Sequence, residues 1–387
     1  MKKLLIFLLI IVFNCTFSQA EKIIIQTNIK LPKDTIVSKS LISSLNGFLE
    51  LKEKENKENT FVLKEDLLEM SILLDEMKEI EKSGKFKDNN FYKCYLNNVV
   101  QINEKEYLIQ FSYIGVNENV PILMASFEII ATQKSNEFYF NSVLKKNTLL
   151  WKTSKIGNVI FHFKNKLNKK TSNEYSKYVQ TFDDKIKSNN KIVEWYGCSN
   201  MSEMLHIMGV NYHLLHNSKS SSTFSSKENN SLLILDGSKN ESFNTFDPHD
   251  LWHDRLRNIL SKSNTNKPVD EGCAYLYGGS WGITWKQILK TFKEKVSSNP
   301  KVDWLKTYEE FYNFGDDPKK ELIVAYVINA LIIEKIEKEK GFESVLELLA
   351  CGKFEKGNEN YFKVLEKISG INKSNFNEKV WELINNN

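Results

Sequence analysis

The chain has 387 residues, of which 41% are hydrophobic and 26% are charged, so it can bury a sizeable core and form two domains. Its formal net charge of +4 is too balanced to indicate a nucleic-acid partner or an anionic membrane surface. The sequence contains no arginine-rich patch, which also argues against nucleic-acid binding.

Residues 1–20 have the pattern of a secretory signal peptide. Two lysines precede a ten-residue apolar run, Leu4 to Phe13, which is too short to span a bilayer as a helix. Small residues at 18–20 offer a cleavage site, and the Phe-Ser-Gln phrase there resembles leaders of Bacteroidetes-type bacteria. The pattern predicts export, either periplasmic or extracellular. Lipid anchoring through Cys15 is the weaker alternative, because Asn14 is a poor residue to precede a lipidated cysteine. No later stretch predicts a transmembrane segment.

The segment 21–150 is predicted to be an α+β domain. A short strand at 22–26 and two stretches of helical periodicity, 38–51 and 64–82, come first. Four alternating or apolar stretches then read as strands of an antiparallel meander, at Phe91–Val99, Glu106–Gly115, Pro121–Ala131 and Glu137–Val143. Helices followed by an antiparallel sheet are typical of an α+β fold, and no motif in this segment indicates a function.

A second domain is predicted from 155 to 387, after a boundary at 145–155, as a small sheet followed by a helical bundle. The first part reads as strand 158–163, helix 172–187, strand 191–196, helix 201–208 and strand 231–236. The polar stretch 217–230 is interpreted as a loop, because serine, lysine and asparagine dominate it. Helices are predicted at about 248–262, 268–277, 283–296, 303–313, 317–340, 342–350, 358–368 and 374–386.

A histidine pair lies at the start of the first helix of this bundle. Asp247 is a good N-cap and Pro248 a good first helical residue, so His249 and His253 fall one turn apart on one face. Two imidazoles at this spacing suit one Zn²⁺ ion. With six histidines in the chain, such a pair arises by chance in roughly one sequence in ten, so the pair alone is weak evidence.

A carboxylate that could complete a zinc site follows eighteen positions after His253. Glu271 opens another predicted helix and can supply a third ligand, which leaves the fourth position for water. Zinc lowers the pKa of such a water and polarises a substrate carbonyl. Glu271 is therefore a candidate third ligand beside the two histidines.

These phrases resemble those of the gluzincin metallopeptidases, especially the peptidase-MA-like group. The run His249 to His253 is similar to the His-Glu-x-x-His signature of zincins. Asp270-Glu271-Gly272, with an alanine and a tyrosine after it, is similar to the Asn-Glu-Gly-x-Ala-Glu-Tyr phrase of gluzincins. The resemblance covers about 155–387. It implies a zinc-dependent peptidase acting on a peptide or protein substrate, with His249, His253 and Glu271 as the zinc ligands.

The resemblance also implies two catalytic roles. Tyr326, in the stretch 325–331, matches a tyrosine that hydrogen-bonds the oxyanion, and Asp250 stands where working zincins carry the glutamate that moves protons. Aspartate is one methylene shorter, which places its carboxylate about 1 Å short and can lower the rate by on the order of a hundredfold. Pro248 is a second departure, because the helix begins nearly at the first ligand.

Three interpretations stay open at the level of sequence. The first is an exported zinc peptidase. The second is a catalytically inactive zincin-fold module for binding or assembly at the cell envelope, suggested by Asp250. The third is a structural envelope protein with an accidental histidine pair.

Asp247 and Asp254 are further candidates for orienting the imidazoles. The sequence does not indicate an oligomeric state. Four cysteines follow the leader and form no Cys-x-x-Cys motif: Cys94, Cys198, Cys273 and Cys351.

Overall fold

A computed structural model describes residues 22–188, 192–296, 299 and 301–387. The predicted signal peptide lies outside these residues. The chain divides into two compact units, one ending at Asn147 and the other beginning at Thr148, except that Leu205–Ser218 belongs to the first. Both units contain helices and a sheet, so the predicted α+β fold class is confirmed. Within the described residues, no helix combines the length and apolarity needed to cross a membrane.

Eleven strands and thirteen helices form in the described part of the chain. The strands are β1 (Ile23–Ile25), β2 (Lys93–Gln101), β3 (Glu106–Asn117), β4 (Val120–Lys134), β5 (Glu137–Ser142), β6 (Lys152–Ile156), β7 (Val159–Phe163), β8 (Ile192–Gly197), β9 (Val210–His213), β10 (Thr223–Glu228) and β11 (Ser231–Asp236). The helices are α1 (Thr35–Leu51), α2 (Leu67–Met77), α3 (Leu144–Asn147), α4 (Lys169–Ile186), α5 (Met201–Met208), α6 (Pro248–Leu256), α7 (Lys267–Gly278), α8 (Trp285–Lys295), α9 (Trp304–Glu309), α10 (Val324–Lys340), α11 (Phe342–Leu349), α12 (Glu359–Ser369) and α13 (Phe376–Asn386).

The first unit is an antiparallel meander with two helices against it. Strands β2 to β5 pair antiparallel in chain order, which confirms the four predicted strands, and β1 pairs parallel to β2. Strand β9 pairs with β4 and was not predicted, because four residues are too few to show alternation. Helix α1 begins where Asp34 accepts hydrogen bonds from two backbone amides, and its apolar side is buried on the sheet side of the unit.

The second unit contains a five-stranded sheet in the order β10-β11-β8-β7-β6. The three central strands are parallel, and the two edge strands run antiparallel to their neighbours. The interpretation of 217–230 as a loop is wrong, because Thr223–Glu228 forms edge strand β10. Asn229 and Asn230 have φ of 50° and 62° and make the two-residue turn into β11. A strand at the edge of a sheet can be polar, so the serine and lysine residues of β10 made this stretch resemble a loop.

The helices of the second unit pack around α10, whose first ten residues are nearly all buried. Helix α7 contacts α10 closely, since a side chain at Gly272 would lie 2.6 Å from Asn329. Helix α6 in turn packs against α7 and α4. This arrangement brings α6 and α7, which carry the predicted ligands, side by side.

Candidate metal centre

The helix with the histidine pair begins as predicted. The Asp247 side chain accepts a hydrogen bond from the His249 amide at 2.9 Å, and Pro248 occupies the first helical turn. Helix α6 ends at Leu256, earlier than predicted, because Arg257 caps it and its guanidinium turns back towards Asp270. The two histidines therefore sit on a short, well-defined helix.

A buried ion pair anchors this helix to α4. Arg255 is fully buried and donates from Nε and Nη2 to the two carboxylate oxygens of Asp183, at 2.8 and 2.5 Å. Trp252 is also fully buried, against Phe182 on α4. These contacts fix the side of α6 that faces α4. The orientation of the helix, and with it the positions of His249 and His253, is therefore fixed.

Removing one partner of this pair is expected to destabilise the protein strongly. Asp183→Ala leaves the Arg255 charge buried without its carboxylate, which costs about 3–5 kcal/mol in the free energy of unfolding. Urea denaturation measures this quantity. Asp184→Ala, one position away on the exposed side of α4, serves as the matched control and should change it by less than about 1 kcal/mol. Equal effects of the two substitutions would contradict this account of the pair.

The structure brings the three predicted ligands together. The Nε2 atoms of His249 and His253 are 3.3 Å apart, and Glu271 Oε2 lies 3.4 Å from the first and 3.8 Å from the second. Donors placed about 2.0–2.1 Å from a tetrahedral zinc ion are separated by about 3.3 Å. Two of the three separations match this value and the third is about 0.5 Å longer, so the group is one that could hold a metal.

Each imidazole is oriented by a partner on its other nitrogen. His249 Nδ1 lies 2.8 Å from the carbonyl oxygen of Gly279, and His253 Nδ1 lies 2.9 Å from Asp270 Oδ1. Because both partners are acceptors, each Nδ1 donates to its partner, and each Nε2 is the nitrogen left for a metal once it is deprotonated. The hypothesis that Asp247 or Asp254 orients the imidazoles is wrong, since these two nitrogens bond Gly279 and Asp270 instead.

Asp270 is the centre of a small network that the sequence did not reveal. It is 5% exposed, and Oδ1 also accepts from Trp252 Nε1 at 3.1 Å, while Oδ2 accepts from Arg257. A carboxylate that holds both a ligand imidazole and an arginine fixes the ring and raises its basicity. The only signal in the sequence was its position immediately before Glu271.

Neutralising Asp270 is expected to weaken zinc binding by about 10–100-fold, because an amide orients the imidazole of His253 less strongly than a carboxylate. The measurement is a zinc titration of Asp270→Asn against a competing chromophoric chelator. Asp316→Asn, an exposed acid paired with Lys295, is the matched control and should bind zinc as the parent does. Unchanged affinity in Asp270→Asn would contradict the orienting role.

The charges of the three ligands are strongly coupled. Burial lowers the pKa of His253, but its hydrogen bonds with Asp270 and Glu271 outweigh burial and raise the pKa to about 10. Burial raises the pKa of Glu271, but the hydrogen bonds of the two histidines hold it at about 2. A zinc ion bound here would compete with protons for the same imidazole nitrogens, and its binding would release protons.

Two glycines shape the end of α7 next to the histidines. A side chain at Gly278 would lie 2.6 Å from the backbone of Pro248 and His249, so a glycine lets the two helices meet. Gly279 has φ of 76°, and a side chain there would lie 2.1 Å from the carbonyl oxygen of Ile283. This left-handed residue aims its own carbonyl at His249.

The two predicted catalytic residues lie on α6 and α10, and neither belongs to the group of three converging residues. Asp250 is exposed on α6 and lies about 100° round the helix from His249. Tyr326 is half-buried on α10, with its ring 5.5 Å from that of Tyr275, which is 5.9 Å from His249. Burial and the charge of Glu271 raise the pKa of Tyr326, so its hydroxyl stays protonated and can donate.

A second group of histidines and an acid lies in the first unit, at Glu76, His213 and His216. The Nε2 atom of His216 is 2.6 Å from Glu76 Oε2, which is a hydrogen-bond distance and shorter than the separation of two zinc ligands. His213 Nδ1 accepts from the Leu215 amide at 3.2 Å, so the proton sits on its Nε2. This geometry is that of a hydrogen-bonded cluster that ties β9 to the end of α2.

Comparisons of the chain with protein-family models, with curated proteins and with solved structures find no match.

Proposed function

We propose that the chain is a zinc-dependent peptidase of the gluzincin type, with His249, His253 and Glu271 as the metal ligands. The observation that carries the proposal is the convergence of three donor atoms at 3.3, 3.4 and 3.8 Å from one another. A histidine–histidine–carboxylate set leaves a fourth position open, which is typical of catalytic rather than structural zinc. Zinc, when bound there, supplies Lewis-acid activation of water and of a carbonyl.

The chain's own groups would carry the proton transfers. Asp250 accepts a proton from the attacking water and passes it to the leaving amine, because it follows the first ligand in sequence and its carboxylate is exposed. The Tyr326 hydroxyl donates a hydrogen bond to the oxygen on which negative charge develops. Asp270 and the Gly279 carbonyl hold the imidazoles in the tautomer that this arrangement needs.

A peptide is the substrate that the resemblance to gluzincins implies. Thr223, the first residue of β10, lines the same cavity as Asp250. The signal-peptide pattern of residues 1–20 further supports action outside the cytoplasm.

A second candidate function follows from Asp250. Because its side chain is shorter than that of the usual glutamate, the same fold could bind zinc and peptides without cleaving them, as a binding or assembly module of the cell envelope. The peptidase requires bound zinc and turnover, whereas the binding module could act with or without zinc and needs no turnover.

A peptide-library experiment tests the proposed activity. The mature chain, loaded with zinc, is incubated with a diverse peptide library, and products are identified by mass spectrometry. We expect cleavage that is lost after chelation and restored by one equivalent of zinc. Cleavage that persists in Glu271→Gln, or intact peptides throughout although zinc is bound, would contradict a zinc peptidase. The second result would favour the binding module.

A further inference from the structure

A cavity of about 430 Å³ lies on the side of α6 next to the histidine face, between α6, α4 and the sheet of the second unit. Four aspartates line it: Asp236, Asp247, Asp250 and Asp254. None of the described residues that line it is a lysine, an arginine or a histidine. The walls of this cavity, which we term the acidic cavity, therefore carry an excess of negative charge.

Two of these carboxylates are presented by one face of α6. Asp250 and Asp254 are one turn apart, about 100° round the helix from His249 and His253. Like charges at this spacing repel each other, and a cation between them relieves the repulsion. The acidic cavity therefore favours a positively charged occupant.

The third carboxylate faces them from the end of the sheet. Asp236 is only 7% exposed, and its oxygens accept from the Ser238 amide at 2.9 Å and the Asn240 side chain at 3.3 Å. These donors are neutral, so they hold the carboxylate in place without cancelling its charge. A buried, fixed carboxylate is a stronger attraction for a cation than an exposed one.

A buried tyrosine provides independent evidence for a ligand. Tyr175 is 5% exposed and lines the acidic cavity, and its hydroxyl makes no hydrogen bond within the described part of the chain. Its ring packs at 5.0 Å on Phe243 and at 5.2 Å on Phe246, which also line the cavity. A hydroxyl that has no protein partner and stands in a cavity wall can bond a ligand or water there. Aromatic walls with carboxylates suit an alkyl chain that ends in a cation.

We propose that the acidic cavity binds a cationic group of the peptide substrate, either a lysine or arginine side chain or a free amino terminus. The inference deepens the proposed function and rests on it, because the cavity shares Asp250 with the site of reaction. Its volume is in the range of small-ligand pockets and holds such a group with its alkyl stem. Asp254 and Asp236 are the binding residues, and they select the substrate.

The test uses calorimetric titration of the full mature chain, both loaded with zinc and stripped by chelation, so that binding is measured with and without turnover. The probes are acetyl-Ala-Lys-Ala-amide, its norleucine analogue and Ala-Ala-Ala-amide with a free amino terminus. We expect at least one cationic probe to bind about tenfold more tightly than the norleucine peptide, since charge-assisted hydrogen bonds are lost with the ammonium. Which cationic probe binds identifies the source of the charge.

Asp254→Asn is expected to weaken binding of the cationic probe by about tenfold and to leave the affinity for the norleucine peptide unchanged. Glu355→Gln, an exposed acid elsewhere in the second unit, is the matched control. Equal binding of the cationic and norleucine probes, or unchanged binding of the cationic probe by Asp254→Asn, would overturn the proposal.

Binding of the cationic probe without any zinc-dependent cleavage would overturn only the peptidase. Cleavage with no preference for basic peptides and no cationic binding would overturn only the acidic cavity.

Discussion

Replacing His253 with alanine is expected to abolish stoichiometric zinc binding. Structural zinc sites with four ligands bind with about 10–16 kcal/mol, so one ligand is worth about 3 kcal/mol, or at least a hundredfold in affinity. The loss of zinc affinity should exceed the contribution of one ligand, because the substitution also removes the imidazole that is hydrogen-bonded to Asp270. Among the described residues, Trp252 and Arg257 remain as side-chain donors to the Asp270 carboxylate. Metal analysis of the purified mature chain should fall from about one zinc per chain to none.

His206→Ala is the matched control for this experiment. His206 is exposed on α5 and belongs to neither group of potential metal ligands in the described residues. It should keep one zinc per chain, and circular dichroism should show that both variants are folded. Retention of zinc by His253→Ala at the parent affinity would mean that the metal binds elsewhere.

Changing Asp250 is expected to alter turnover without altering zinc content. Asp250→Asn removes the group that accepts the proton, and general acid–base groups contribute about 10²–10⁴-fold to a rate. Asp250→Glu extends the carboxylate by one methylene and should raise kcat by up to about a hundredfold if reach limits the parent. Both variants should bind one zinc, because Asp250 lies outside the ligand group. Initial rates on a cleaved peptide measure the effect.

Asp184→Asn, an exposed acid on α4, controls for a general loss of negative charge. A parent and an Asp250→Glu variant that both bind zinc and cleave nothing would favour the binding module. Equal rates for the parent and Asp250→Asn would remove Asp250 from the mechanism.

The part of the candidate metal centre that lies on one helix was predictable from the sequence, and the part that joins two helices was not. Asp247, Pro248 and the spacing of the two histidines are decided within one helix, where capping and periodicity act over a few residues. The meeting of Glu271 with them depends on α7 lying against α6, which the missing side chain of Gly278 permits. Sequence spacing suggested this contact only through the resemblance to gluzincins.

The features that the sequence concealed are those that tertiary structure decides. Strand β10 is polar because it is an edge strand, so its composition resembles that of a loop. Asp270 and Gly279 orient the imidazoles from a different helix and its cap, and no local pattern distinguishes them from an ordinary acid and a turn glycine. The Arg255–Asp183 pair joins helices that are 72 positions apart in sequence.

Zinc K-edge X-ray absorption on the zinc-loaded mature chain tests the metal centre most directly. We expect one bound zinc with four nitrogen or oxygen neighbours at about 2.0–2.1 Å and the outer-shell scattering of two imidazoles. The folded His249→Ala variant should take up no stoichiometric zinc, as expected for His253→Ala. A zinc ion with six oxygen neighbours and no imidazole scattering, or a folded chain that takes up no zinc, would contradict the assignment of His249, His253 and Glu271 as ligands.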